Sequence, residues 1–321
     1  MTFKTRRSFL RQATAGAALT ALGGLPACTT GSQPDPVPST AEGTDEPWFR
    51  ISLAEWSLHR TLGAGDLDNL GFITAARRDY GIDAVEYVNS FFFEQAENID
   101  YLKSMIERCD GEGVRSLLIM CDNEGRIGDP DAAARTQAVE NHYKWVEAAR
   151  TLGCHSIRVN AQSAGTEAEQ HERVVDGLRS LVSFADDHEI NVIVENHGGL
   201  SSNGKWLAGV LTAVDHPRCG SLPDFGNFWI DADTMYDRYR GVEEMMPFAK
   251  AVSAKSNEFD AAGNDTGTDY LRMVRVVLKA GYRGWIGIEY EGSDPDEPAG
   301  IRATKRLLER VRDKLAGEFP A

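Results

Sequence analysis

The chain has 321 residues, 42% of them hydrophobic and 31 of them glycine, which is enough for one large apolar core and within the range of a single barrel domain. Its formal net charge of -15 at pH 7 deepens to -19 once the four leading bases Lys4, Arg6, Arg7 and Arg11 are set aside. Such a surface repels phosphate backbones, so no nucleic-acid partner is expected, and no shift in composition between residues 48 and 316 divides the chain into two domains.

In chain order, Thr5-Arg6-Arg7-Ser8-Phe9-Leu10-Arg11 and the alanine-rich stretch from Ala13 to Leu25 have the basic n-region and short apolar h-region of an export signal, too short to span a membrane. The arginine pair followed by Phe and Leu resembles a twin-arginine signal, and Leu25-Pro26-Ala27-Cys28 resembles a lipobox. Residues 1–28 are therefore expected to direct export, leaving a periplasmic protein or a lipoprotein that meets the membrane only through an anchor at Cys28. Residues 29–47, rich in Ser, Thr, Pro, Gly and acids, are expected to be a disordered tether, and residues 317–321 a short tail. Cys109, Cys121, Cys154 and Cys219 form no C-x-x-C pair, which argues against a thiolate zinc site and for free, buried thiols.

Eight strand candidates follow: 50–57, 84–89, 116–122, 156–161, 191–196, 220–225, 251–257 and 285–290. Helical patterns such as 132–152, 168–188 and 299–315 lie between and after them. Glycines at 81, 153 and 281 each close a helix shortly before the next strand. Strand and helix alternating eight times predict a single-domain α/β fold, a closed (β/α)8 TIM barrel over residues 48–316. The rival doubly wound sheet lacks its Gly-x-Gly-x-x-Gly after the first strand.

In such a barrel the ligand sits at the carboxyl ends of the strands. Asn191-Val192-Ile193-Val194-Glu195-Asn196-His197 ends an apolar run in polar groups, and Asp224 and Glu289 end strands six and eight in the same way. Barrel closure brings these three acids to one mouth, where their mutual repulsion calls for a divalent cation. Each acid taken alone has a plainer reading as an arginine partner or helix cap. His197 shares a face with Glu195 while the strand lasts, and either binds substrate, supplements a metal, or is structural. Lys255 and Asn257 share the inward face of strand seven with Ser253, and Lys255 can offset carboxylate charge or donate to a sugar oxygen. Glu86, Asn160, Arg158, Glu55 and Trp56 are further candidates for the mouth, with Trp56, Phe91 to Phe93, Phe228 and Trp229 as apolar walls.

On these residues the chain resembles the sugar phosphate isomerase/epimerase family, barrels similar to xylose isomerase that share their fold with family-2 apurinic endonucleases. The resemblance implies a Mn, Co, Mg or Zn ion held by Glu, Asp, His and Glu from strands five to eight. Glu195, Asp224 and Glu289 fall on three of those positions. The family's His-x-Lys-Asp is here Ser253-Ala254-Lys255-Ser256, so Ser253 stands in for the imidazole ligand. Asn227 stands where relatives often carry a histidine, and is expected to bind substrate.

The resemblance implies a carbohydrate isomerase or epimerase in which Glu195 and Glu289 are acid and base, Lys255 assists, and His197, Asn227, Asn257, Glu86, Asn160 and Trp56 contact the sugar. An exported enzyme is expected to take an unphosphorylated sugar or keto-sugar. Two alternatives stand beside it: a lyase or hydrolase of 3-keto-glycosides using the same site, and a sugar-binding lipoprotein that has lost its metal along with the strand-seven histidine. Sequence does not specify the oligomeric state.

Overall fold

The computed structural model describes residues 48–319. The export signal, Cys28 and the tether lie outside the described residues. Eight parallel strands form one curled sheet: β1 (Arg50–Ala54), β2 (Ala84–Val88), β3 (Arg115–Met120), β4 (Ser156–Asn160), β5 (Asn191–Glu195), β6 (Cys219–Leu222), β7 (Val252–Ser256) and β8 (Trp285–Tyr290). Around them run α1 (His59–Ala64), α2 (Asn69–Arg78), α3 (Ile99–Glu112), α4 (Ala132–Asn141), α5 (Tyr143–Leu152), α6 (Glu167–Asp186), α7 (Gly204–Val214), α8 (Arg238–Met245), α9 (Tyr270–Lys279) and α10 (Glu297–Leu315). The predicted (β/α)8 barrel is thus the observed fold.

Local chemistry sets the boundaries. Side chains of Asp68, Asn98, Asp131, Asn203, Asp237, Asp269 and Asp296 each accept an N–H in the first turn of the helix they precede, and Thr166 with Glu169 forms a capping box. Gly81, Gly153 and Gly281 take φ of 62°, 73° and 84°, the left-handed conformation that ends a helix. Several expected boundaries differ. The helix over 132–152 divides at His142, whose ring Nδ1 meets the Ala138 carbonyl at 2.7 Å. The first strand stops at Ala54, and Glu55–Leu58 turn into a 3-10 helix. Part of the expected tail is also packed: Phe319 meets Trp48 edge-on at 5.8 Å, and Glu318 pairs with Arg275.

The strands are hydrogen-bonded in the order β6-β5-β4-β3-β2-β1-β8-β7, so regular ladders join every neighbour except β6 and β7. Pro223 explains the gap, since it has no N–H to offer and ends β6 after four residues, short of the expected Phe225. Three backbone bonds cross this seam instead: Lys250 N–H to the Ser221 carbonyl (3.0 Å), Ser253 N–H to that of Pro223 (3.0 Å), and Phe225 N–H to that of Ser253 (3.1 Å).

Alternation along each strand divides the apolar residues between two places. Outward residues such as Leu53, Tyr87, Ile157, Val194 and Ile288 join the helices in the main core. Inside the barrel, Ala54, Val88, Leu118, Met120, Ile193, Leu222 and Ala251 make a separate plug. All four described cysteines are free and buried, as expected.

Candidate active site

Glu195 ends β5, Asp224 follows β6, and Glu289 lies in β8, all facing the lumen above the plug. One carboxylate oxygen from each lies within 4.8 Å of the others, and the three residues are 1%, 0% and 4% exposed. The carboxyl ends of β5 and β6 are tied by Asn196. Its Oδ1 accepts the Asp224 N–H (2.7 Å), and its Nδ2 donates to the carbonyls of Asp224 (3.1 Å) and Asn227 (3.0 Å). Asp224 in turn accepts the N–H groups of Gly226 and Asn227 at 2.8 Å through Oδ1, which fixes its direction.

Ser253 reaches both remaining partners, with its Oγ 2.7 Å from Asp224 Oδ2 and 2.9 Å from Glu289 Oε2. A hydroxyl has one hydrogen, so it can fully serve only one of two ionised oxygens. Two fixed cations stand on either side. Lys255 Nζ lies 3.2 Å from both Glu289 and Glu291 and donates to Asn227 Oδ1 at 3.1 Å. Arg158 lies between Asp122 (2.7 Å) and Glu195 Oε2 (2.9 Å). The second contact lacks hydrogen-bond alignment, so Glu195 Oε2 is a buried oxygen with no donor.

These neighbours shift the acids in different directions. Burial pushes the Glu195 and Asp224 carboxyls up to about 7, against the pull of Arg158 and Lys255 respectively. Burial acts the same way on Glu289, but Lys255 and the Ser253 hydroxyl outweigh it and hold that carboxyl below its ordinary range. Burial alone would depress the Lys255 ammonium, yet Glu289, Asp224, Glu291 and Glu195 together hold it well above the usual lysine value. Lys255 is therefore a lasting cation and a hydrogen-bond donor rather than a base.

A cavity of about 620 Å³ opens above the cluster, bordered by Glu289, Glu291, Asp122, Arg158, Asn160, His197 and Trp56 and extending to Asn123–Arg126 and His142. Trp56 donates Nε1 to Glu291 Oε1 at 2.6 Å and stacks on His59 with ring centres 4.9 Å apart, presenting the expected aromatic wall. Asn160 donates to Asp122 at 2.7 Å. His197 stands on the rim and does not join the carboxylate cluster. Asn227 is inside the cluster, bonded to Glu195 Oε1 (3.0 Å) as well as to Lys255.

Other expected candidates fall elsewhere. Asn257 lies past the end of β7, where alternation has lapsed. It is exposed, and its N–H goes to Asp265. Glu86 faces the lumen but deeper, 1% exposed and away from the cavity, with Oε1 accepting from Ser52 (2.6 Å) and Oε2 unpartnered. Burial pushes its carboxyl up to about 8. Glycine stands opposite: a Cβ on Gly287 would lie 2.5 Å from both oxygens of Glu86, which would have to shift. Glu55 is buried and spent on the Val88 N–H, Phe92 packs against Trp145, Phe228 is fully buried, and Trp229 is 55% exposed outside the cavity. Sequence reasoning passed over Asp122 and Glu291. Both had a signal, since Asp122 follows the apolar end of β3 and Glu291 lies two residues beyond Glu289.

Residues 74–311 match the family described as Xylose isomerase-like TIM barrel. Among curated proteins, L-ribulose-5-phosphate 3-epimerase UlaE of Escherichia coli (strain ATCC 8739) is 24% identical over 257 residues, covering 75% of this chain and 89% of that protein. A crystal structure described as a D-tagatose 3-epimerase-like protein superposes with a TM-score of 0.66 at 18% identity, covering 84% of this chain and 99% of the other. A xylose isomerase-like TIM barrel protein from Mycobacterium smegmatis in complex with magnesium gives 0.62 at 17% identity, covering 83% and 97%. Matched over most of its barrel, the chain belongs to the xylose isomerase-like TIM barrel family.

Proposed function

We propose that the chain is a carbohydrate isomerase or epimerase that moves a proton on a carbon beside a carbonyl, assisted by a divalent cation at Glu195, Asp224, Glu289 and Ser253. The observation that carries this reading is the convergence of three buried acids within 4.8 Å at the ends of three strands. The E. coli relative, an L-ribulose-5-phosphate 3-epimerase, carries out a reaction of the same kind. The donor set fits a cation: among the described residues Glu195 Oε2 has no hydrogen-bond donor, Ser253 has one hydrogen for two carboxylate oxygens, and the Lys and Arg ion-pair partners of Asp122, Glu195, Glu289 and Glu291 are Arg158 and Lys255.

A bound cation would polarise the substrate carbonyl and offset the charge of the enediolate. Glu195, held by Asn227 and beside Arg158, takes or returns a proton on one side of the reacting carbon. Glu289, held by Lys255 and Ser253, does so on the other. Lys255 donates to a sugar oxygen, and Trp56 covers a ring face. The acids bordering the cavity disfavour a phosphate dianion, which supports an unphosphorylated sugar. Export through the twin-arginine leader and acylation of Cys28 belong to the same proposal and rest on the sequence.

Glu289→Gln is expected to abolish turnover of D-tagatose or D-psicose while circular dichroism stays unchanged; turnover that survives would remove Glu289 as acid or base. The reach of the cavity beyond the cluster to Arg126 favours a second reading, loss of a leaving group from a 3-keto-glycoside after the same proton abstraction. Product analysis separates an epimer from an eliminated aglycone. A binding lipoprotein with no turnover would instead show sugar affinity indifferent to chelation.

A further inference from the structure

We propose that Ser253, by completing an all-oxygen donor set, narrows the advantage of zinc at this divalent-cation site and so admits magnesium or manganese. The inference rests on the metal-assisted reading above and adds to it the class of ion.

Among the described residues, the potential ligand group at the lumen contains three carboxylates and no histidine or cysteine. The fourth corner is the Ser253 hydroxyl, within 2.9 Å of two of those carboxylates. The neighbouring soft or borderline donors are turned to other work. Cys121 directs its thiol at the Ile119 carbonyl, His142 engages the Ala138 carbonyl, and His197 stays on the rim. The side-chain nitrogens that touch Glu195 and Glu289 belong to Arg158, Lys255 and the Asn227 amide, donors with no lone pair to give a metal. Carboxylate, hydroxyl and water suit Mg²⁺ and Mn²⁺, whereas imidazole suits zinc.

Serine therefore does more than weaken binding. By withholding a nitrogen it narrows the margin by which zinc ordinarily outbinds manganese at mixed sites.

The test uses the full chain, stripped with chelator and titrated calorimetrically with MgCl2, MnCl2 and ZnCl2, as wild type, Ser253→His and Ser253→Ala. For the wild type the zinc and manganese dissociation constants should lie within about ten-fold of each other. Ser253→His should tighten zinc by about ten- to a hundred-fold while manganese changes far less. Ser253→Ala should weaken manganese several-fold without raising the zinc preference, and it keeps the proposal open to refutation if the histidine variant fails to fold. Wild-type protein that holds zinc more than about a hundred-fold tighter than manganese, or a histidine variant with an unchanged ratio, would overturn the inference alone. Binding of no divalent ion at all would overturn the metal-assisted reading with it.

Discussion

Ile193 and Glu195 lie two residues apart on one face of β5, and between them the lumen changes character. Below, Ile193 belongs to an apolar plug with Ala54, Val88, Leu118, Met120, Leu222 and Ala251. Above, Glu195 belongs to a crowd of acids around two cations. The same strands and the same period serve both floors, so the fold does not decide what either floor does. Burial is the largest influence on Glu195 and Asp224, which stand above that apolar floor. Apolar packing is concentrated below and charge above.

The sharpest way to break this division is to truncate each floor in turn. Ile193→Ala should cost about 2–5 kcal/mol in urea unfolding, the toll of a cavity in a packed interior. Glu195→Gln should change that free energy by less than about 1.5 kcal/mol at pH 6, where burial favours the neutral Glu195 carboxyl and Arg158 keeps its bond to Asp122. Equal losses would mean the acids are structural after all.

Two smaller effects probe the boundary itself, where Glu86 sits as an acid beneath the cavity. Gly287→Ala should destabilise by about 1–3 kcal/mol, since the added methyl meets both Glu86 oxygens and the neighbouring packing has little room to yield. Glu86→Gln addresses pH. The folded carboxyl stands at about 8, above its ordinary unfolded value, so between the two the folded state keeps a proton that the unfolded state has released. Stability contributed by that proton is complete at low pH and is lost as pH rises towards 8, by about 1.4 kcal/mol per unit at most. Glutamine does not titrate, so its advantage over the wild type should be near zero at pH 5 and grow by pH 8. A difference that stays constant between the two would show that Glu86 is not held protonated.

The barrel and its register were legible because strand alternation, helix caps and glycine stops are local signals. The three acids were legible because each ends an apolar run. What was hidden is depth and partnership. Glu86 and Glu289 both face the lumen, but which one reaches the cavity depends on the stagger between strands, and periodicity along one chain segment does not carry stagger. Arg158 read as one weak candidate among several, because its two partners, Asp122 and Glu195, come from other strands. Asn257 was placed inward by extending β7 one residue too far, although the regular strand ends at Ser256. Pro223 was visible, and its missing N–H was the clue that strand six would stop early.

That proline gives the cylinder a slit. Along it the wall is held by three backbone bonds and the contact between Ser253 and Asp224, in place of a continuous ladder. Asp224 stands on one lip, with Ser253 and Glu289 on the other. An ion held by those acids would tie the two lips together, so its binding is expected to stabilise the seam. The amides flanking the slit are where solvent exchange should slow first when the clasp is fastened.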